Sequence, residues 1–335
     1  MAVPALPSDM KVYNEQFFAG YTERLERNLA AFNANSANSI IMSSNVSNSE
    51  FIKESFLAKI SGLVTRRDNT STSAAAAVGP TQGEIVKVDR SIKIGPATFT
   101  DEAVHKAGMS MDEMVFLIGE QAADEVMKEH IDSVLYGLSG AYGVTALANG
   151  LVQDSSTATM THSILNSGLA KFGDKASNVA AWVMHSSVFF ELQGQAIADK
   201  IDSVAGTVIY GGSPGTLGRP VVVTDSDALF SNGSSSVSTD NYYTTYGLVS
   251  GAAEIQETRI GELLVERVGG AENIYTRYQA EENFAVGLKG MAFSTSTKNP
   301  TLAQLATNSN WTQAFTSLKS LPGIQIKTKK ANALG

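Results

Sequence analysis

Cysteine is absent from all 335 residues, which excludes disulfides, thiolate metal sites and a cysteine nucleophile together. Also missing is any run near the roughly 18 to 20 apolar residues that would span a bilayer as a helix. The opening MAVPALPSDMKVYNEQ lacks the basic-then-apolar order of a signal peptide, so a soluble chain that is not exported is expected, with no membrane partner. Positive charge is scarce: 25 Lys and Arg stand against 33 Asp and Glu, for a formal net charge of -8. Gripping nucleic acid needs clustered Lys and Arg to displace counterions, and Arg66-Arg67 is the only basic cluster in the first half. The C-terminal IKTKK, with Lys327, Lys329 and Lys330, reads as a short exposed tail.

Catalytic and metal signatures are lacking too. His105, His130, His162 and His185 show no HExxH or other short ligand spacing. Met127 stands three positions before His130, where a di-iron helix needs Glu. His185 ends an apolar run and precedes Ser186 and Ser187, yet GxSxG is missing and neighbours on a strand point to opposite faces, so a structural or capping role is expected. GGSPGTLG, 211–218, could let backbone amides approach an anion, but it runs on through Leu217, Gly218, Arg219 and Pro220 and lacks the GK[ST] that opens a P-loop helix. A tight connection between strands is the simpler reading; a phosphate-ligand-binding α/β enzyme using 211–218 is the alternative from another class. No catalytic residue, cofactor or metal is assigned.

What is present is one long proline-free stretch, 110–138, with the periodicity of a helix roughly 40 Å long at about 1.5 Å per residue. Ser110 is placed to cap it and Glu113 to close a capping box, with Asp112 and Glu113 at the positive end of the dipole. Met111, Met114, Val115, Ile118, Ala122 and Val126 form one apolar stripe; Met127, Ile131, Val134, Leu135 and Leu138 fall on roughly the opposite side. This is the pattern of a spine between two layers. Its acids, Asp112, Glu113, Glu120, Asp124, Glu125, Glu129 and Asp132, read as a solvated face.

Around this spine the chain divides unevenly. A polar helix over 9–32 carries Phe17, Phe18, Tyr21, Leu25 and Leu29 on one side, and small polar residues then break it. Phe51 to Ile60 reads as a short helix. Thr65 to Gly83 is rich in Thr, Ser, Ala and Gly and cannot form a core by itself. Val86, Val88, Arg90, Ile92 and Ile94 then alternate with polar residues as in a long half-exposed strand. Together these predict a protruding two-stranded loop, which needs a partner because an isolated hairpin is marginal in water. Past a small-residue hinge at 137–150, a compact α/β unit is expected: helices 161–172 and 187–202, and strands 180–185, 207–210, 219–225 (buried) and 242–249, with a surface loop at 231–240. From Ala252 the sequence is strand-rich. Trp311, Phe315 and Leu318 have helix-like spacing, and IQIK reads as an edge strand.

The order of parts resembles the major capsid proteins of tailed bacteriophages, the HK97-like α+β fold. Three stretches carry the likeness: SFLAKISGLVTRRDNTSTSA at 55–74, similar to the start of the extended E-loop; LGRPVVVTDSDAL at 217–229, similar to the family's Gly-x-Pro-Val-Val strand; and RYQAEENFAVGLKGMAF at 277–293, similar to its closing strand. The resemblance implies an N-terminal arm at 1–55, an E-loop at 56–100, a peripheral domain at 101–143 with 250–335, and an axial domain at 144–249. It further implies self-assembly into hexamers and pentamers, a virion location after assembly in the bacterial host cytoplasm, a portal protein, and packaged double-stranded DNA held without sequence-specific binding. No long coiled-coil prosegment is visible, which implies a separate scaffolding protein. Inter-subunit contacts are then expected at Arg66, Arg67, Asp68, Val86, Val88, Ile92, Ile94, Phe17 and Tyr21. An encapsulin-like shell is the alternative within the fold.

Overall fold

The computed structural model describes residues 21–25, 27, 32–33, 36–44, 49–58, 60, 63–67, 69–70, 73–74, 77–108, 110–203, 217–231, 241–260, 264–269 and 272–329. The expectations for Phe17, Phe18, Leu29, Asp68, the strand at 207–210, the glycine run at 211–216, the loop at 232–240 and Lys330 lie outside them. In chain order the elements are β1 (Ile40–Ser44), β2 (Phe51–Leu57), β3 (Gln82–Thr100), α1 (Asp101–Lys106), α2 (Met111–Tyr142), α3 (Thr145–Gly150), β4 (Val152–Ser155), α4 (His162–Phe172), β5 (Val179–Met184) and α5 (Ser186–Ser203). There follow β6 (Val221–Val223), β7 (Phe230–Ser231), β8 (Tyr242–Val249), β9 (Ala253–Ile260), β10 (Leu264–Val268), β11 (Tyr275–Leu288), β12 (Met291–Phe293), α6 (Leu302–Leu305), β13 (Trp311–Gln313) and β14 (Gly323–Lys329). No helix among the described residues is long and apolar enough to cross a membrane.

Two sheets flank the long helix α2. The eight-stranded sheet runs β1-β9-β11-β3-β12-β13, with β10 beside β11 and β2 beside β3; the six-stranded sheet runs β4-β14-β8-β5-β6, with β7 beside β8. The expected capping box is present: the Ser110 hydroxyl accepts from Glu113 N–H, and Glu113 reaches back to the Ser110 N–H. The shift of stripe is real as well. Val115, Ala122, Ala123 and Val126 pack in a small cluster with Tyr21, Leu25, Tyr278 and Ala280, whereas Met127, Val134, Leu135, Leu138, Ala141 and Tyr142 belong to the main core. At about 1.5–3 kcal/mol for each large apolar side chain fully buried, the second half of α2 carries most of its anchoring.

The structure corrects several local expectations. The hinge predicted from Gly137 is continuous helix to Tyr142, because Gly137 and Gly140 face Trp311: a Cβ on Gly140 would fall 2.3 Å from Leu305 O and 2.9 Å from Trp311. Trp311, expected on a helix, starts β13 and donates its indole N–H to Leu305 O at 2.8 Å. Phe315, expected on the same face, packs edge-on against Phe56 and over Gly290. Phe51–Leu57 is a strand, since pairing with β3 from Phe51↔Val88 to Leu57↔Gln82 overrides its helix-like spacing. Among the described residues β6 ends its sheet and is only partly buried, so RPVVVTD is not the interior strand expected. IQIK is no edge, and IKTK, 326–329, is no tail: β14 lies between β4 and β8, with Ile324 and Ile326 fully buried. Within the strand-rich stretch expected from Ala252, Tyr275–Leu288 is one long strand, β11, which ends at the Lys289-Gly290 turn.

Candidate functional site

Among the described residues, the β2–β3 hairpin bares several large aliphatic side chains. Its stem is closed by Ala58 N–H donating to Thr81 O at 2.8 Å. Leu57 is 76% exposed, Leu63 68% and Val64 95%, and Arg66 and Arg67 beside them are also exposed. Leu63 and Val64 are adjacent in sequence, so the hairpin bares apolar side chains close to two arginines.

At the root of the hairpin the polarity reverses. Lys87, near the start of β3, is buried, and its ammonium lies 2.6 Å from Glu54 of β2 and 2.8 Å from Glu254 of β9. Its methylenes cross β11 at Gly287, where a Cβ would come within 2.5 Å of Lys87 Cγ. One side chain thus ties the hairpin to the body across four strands. Val86 and Val88 are buried on either side of it. These two, expected as inter-subunit contacts, face the core of their own chain.

Farther along β3, Ile92 and Ile94 are half-buried and line a groove of about 620 Å³ between the sheet and α2. Ile118, Ala122 and Ala280 complete its apolar floor, with Lys93 on one rim and Gln121 and Glu125 on the other. Arg90 spans one end, bonded to Glu129 at 2.5 Å, to the Ser133 hydroxyl at 2.6 Å and to Pro300 O at 3.1 Å.

The helical residues 21–25 meet α2 nearby. Tyr21 and Leu25 are buried, and Arg24 forms two bonds to Asp124 at 3.0 and 3.1 Å. The Tyr21 hydroxyl donates to Glu282. Burial first, then the Glu282 charge, drives the Tyr21 pKa far above the usual tyrosine value, so it stays a donor. Tyr21, also expected between subunits, is therefore engaged inside its own chain.

Among the residues weighed for chemistry, His185 and several acids of α2 have structural partners. His185 caps α5, its Nδ1 accepting from Ser187 N–H at 3.2 Å and its carbonyl from Val188 N–H and Phe189 N–H at 3.1 Å; Nε2 lies 3.7 Å from Asp225. With both ring nitrogens so placed, the histidine is not poised to activate a serine hydroxyl. The acids of α2 are less uniformly solvated than expected: Asp124 pairs with Arg24, Glu129 with Arg90, and Asp132 accepts from the Ser226 hydroxyl at 2.5 Å. Lys87, Glu54, Glu254 and the His130–Glu282 contact were missed by sequence reasoning. Each depends on strands far apart in the chain, and the only local sign was Gly287.

Comparison with known proteins agrees with this architecture. The Gp13-like family, described as major capsid protein 13-like, matches residues 9–325. No curated protein matches the chain. Among solved structures, one from Mycobacterium phage Cain is similar at a TM-score of 0.53 and 12% identity, over 87% of this chain and 89% of that one. The capsid of Ralstonia phage GP4 is similar at a TM-score of 0.53 and 10% identity, over 89% and 88%, and the capsid of Myoviridae phage XM1 at 0.50 and 9%, over 88% and 90%. Identities this low carry the fold alone, and it is the family match over most of the length that makes the assignment: the chain belongs to the Gp13-like family and is a major capsid protein with the HK97-like fold of the tailed-phage head.

Proposed function

We propose that copies of this chain associate as hexamers and pentamers that close into an icosahedral head around double-stranded DNA, with the β2–β3 hairpin of each copy laid over a neighbour. The observation that carries the reading is the exposure of Leu57, Leu63 and Val64 beside Arg66 and Arg67, a surface with apolar area and charge to offer a second copy. In this scheme residues 1–55 act as arm, 56–100 as E-loop, 101–143 with 250–335 as peripheral domain and 144–249 as axial domain. The strand β14, inside the last of the peripheral residues, pairs with β4 and β8 of the axial part, so it clamps the two together. Arg66, Arg67 and Asp68 with Phe17 serve between subunits, and Ile92 and Ile94 offer the groove wall. A separate scaffolding protein and a portal complete assembly in the host cytoplasm. The role is structural, and DNA is enclosed without specific binding by an acidic chain.

Deleting Thr65 to Gly83 tests this. The shortened chain should stay folded and soluble but form no closed shells in negative-stain microscopy, with or without scaffold. Particles like those of the intact chain would overturn the proposal.

A further inference from the structure

On this acidic chain one patch has the opposite sign. Lys171 near the end of α4, Lys175 on the 3-10 turn Gly173–Asn178, Lys289 just past β11 and Lys319 on the 3-10 turn Leu318–Ser320 are all exposed. Arg219 joins them, donating to Ala176 O at 3.0 Å and Val179 O at 2.7 Å. Among the described residues Asp174, bonded to Lys319, is the acid that touches this group. Between Lys289 and Lys319 lies a pocket of about 330 Å³, lined also by Asn178, Ser250 and Ser320. Buried Val249 and Leu321 complete it. Its polar side chains are ammoniums, hydroxyls and a carboxamide, all able to donate, and no carboxylate lines it. Lys289 uses one N–H on Ser250 O at 3.1 Å, which fixes its ammonium beside the pocket.

Cations that share one pocket repel each other, and an anion between them relieves the repulsion. A tetrahedral oxyanion suits the donors, because its oxygens point in several directions and each accepts from a different group, whereas a carboxylate keeps both oxygens in one plane. We propose that this pocket binds a phosphate-type oxyanion and that in the filled head it takes a backbone phosphate of the enclosed duplex, a step that rests on the proposed function for its DNA. The contact reads charge and no base edge, so it adds no sequence preference. It gives an otherwise acidic wall a place to touch DNA that like charge holds off elsewhere. One phosphate neutralised predicts roughly an eightfold fall in affinity for each tenfold rise in salt.

Lysine acylation of the full chain, read residue by residue by mass spectrometry, tests this whether or not shells form. A chain that binds without assembling would therefore count against the proposed function and not against the pocket. At low salt a short DNA duplex should slow acylation of Lys289 and Lys319 to less than half the rate without it, while Lys106, an exposed lysine of α1 paired with Glu102, keeps its rate. Inorganic phosphate at matched ionic strength should protect the same two lysines, and added salt should remove the protection by the duplex. Lys289→Gln, checked for unchanged circular dichroism, should leave Lys319 unprotected by either probe, and Lys106→Gln should change nothing. Protection by phosphate without protection by the duplex would overturn the assignment to DNA. Acetate protecting as well as phosphate would overturn the choice of oxyanion, and equal slowing at Lys106, or no slowing at all, would overturn the pocket.

Discussion

A lysine buried within a strand is tolerated only when its ammonium is matched, and Lys87 is matched twice. Burial pulls its pKa down, but the hydrogen bonds to Glu254 and Glu54 outweigh it and leave the value above that of an ordinary lysine. A group raised in the folded state stabilises fully below its unfolded value, about 10.4, and that stabilisation is lost as pH climbs through the folded value. Denaturant melts from about pH 9 to 11 should thus show a falling limb that Lys87→Met flattens; an unaltered limb would mean that the fork contributes nothing. Gly140 gives a second residue-level test. Alanine is the better helix former by about 1 kcal/mol, yet its methyl would collide with Leu305 O and Trp311, and such overpacking costs about 1–3 kcal/mol. Gly140→Ala should lower stability in chemical denaturation. Neither residue was legible from local pattern. Alternation placed Lys87 on the exposed face of its strand, because period two assigns sides without saying what covers them.

Among the elements, α2 was the most legible and β2 the least, for one reason. The capping box closes within three residues, and the change of stripe is written in the spacing of α2 itself even though the layers it packs on come from distant parts of the chain, so spacing alone carried both. Phe51, Phe56 and Leu57 fit a helix equally well until β3 arrives some thirty residues on, and the pairing decides. The same holds for Trp311, Phe315 and Leu318, whose spacing reflects separate partners. Two measurements bear on α2. Ser110→Ala should cost about 1 kcal/mol through the lost cap. Leu135→Ala, in the main core, should cost about 2–5 kcal/mol, whereas Leu117→Ala, 38% exposed, should stay within about 0.5 kcal/mol. Equal losses at Leu135 and Leu117 would contradict the assignment of the second half of α2 to the core.

At the scale of the molecule, surface and core are separable. Reversing charge with Arg66→Glu and Arg67→Glu should leave the melting curve of the single chain within about 0.5 kcal/mol while lowering the yield of shells in light scattering. A large loss of stability would show instead that these arginines serve their own subunit. Removing residues 323 onward should do the opposite. It takes out a strand flanked on both sides, which strands β4 from β8 and uncovers Trp182 and Gly168, so the truncated chain should lose folded structure by circular dichroism before assembly is at issue. The overall architecture was legible through the order of parts and three stretches of resemblance, not through periodicity, which cannot say that residue 152 pairs with residue 325. That pairing has a kinetic consequence. The six-stranded sheet closes by pairing Val152 of β4 with Gln325 of β14 across intervening strands of the other sheet, and the parallel pairing of β1 with β9 likewise joins Ile40 to the distant Ala253. Both closures must pay the entropy of long loops before any contact rewards it, which makes folding slow. On the ribosome, β4, β5 and β8 emerge well before the strand that separates β4 from β8, so a growing chain holds an incomplete second sheet until residue 329 is free. A subunit therefore finishes its fold late, and copies still under synthesis are poor substrates for joining a shell.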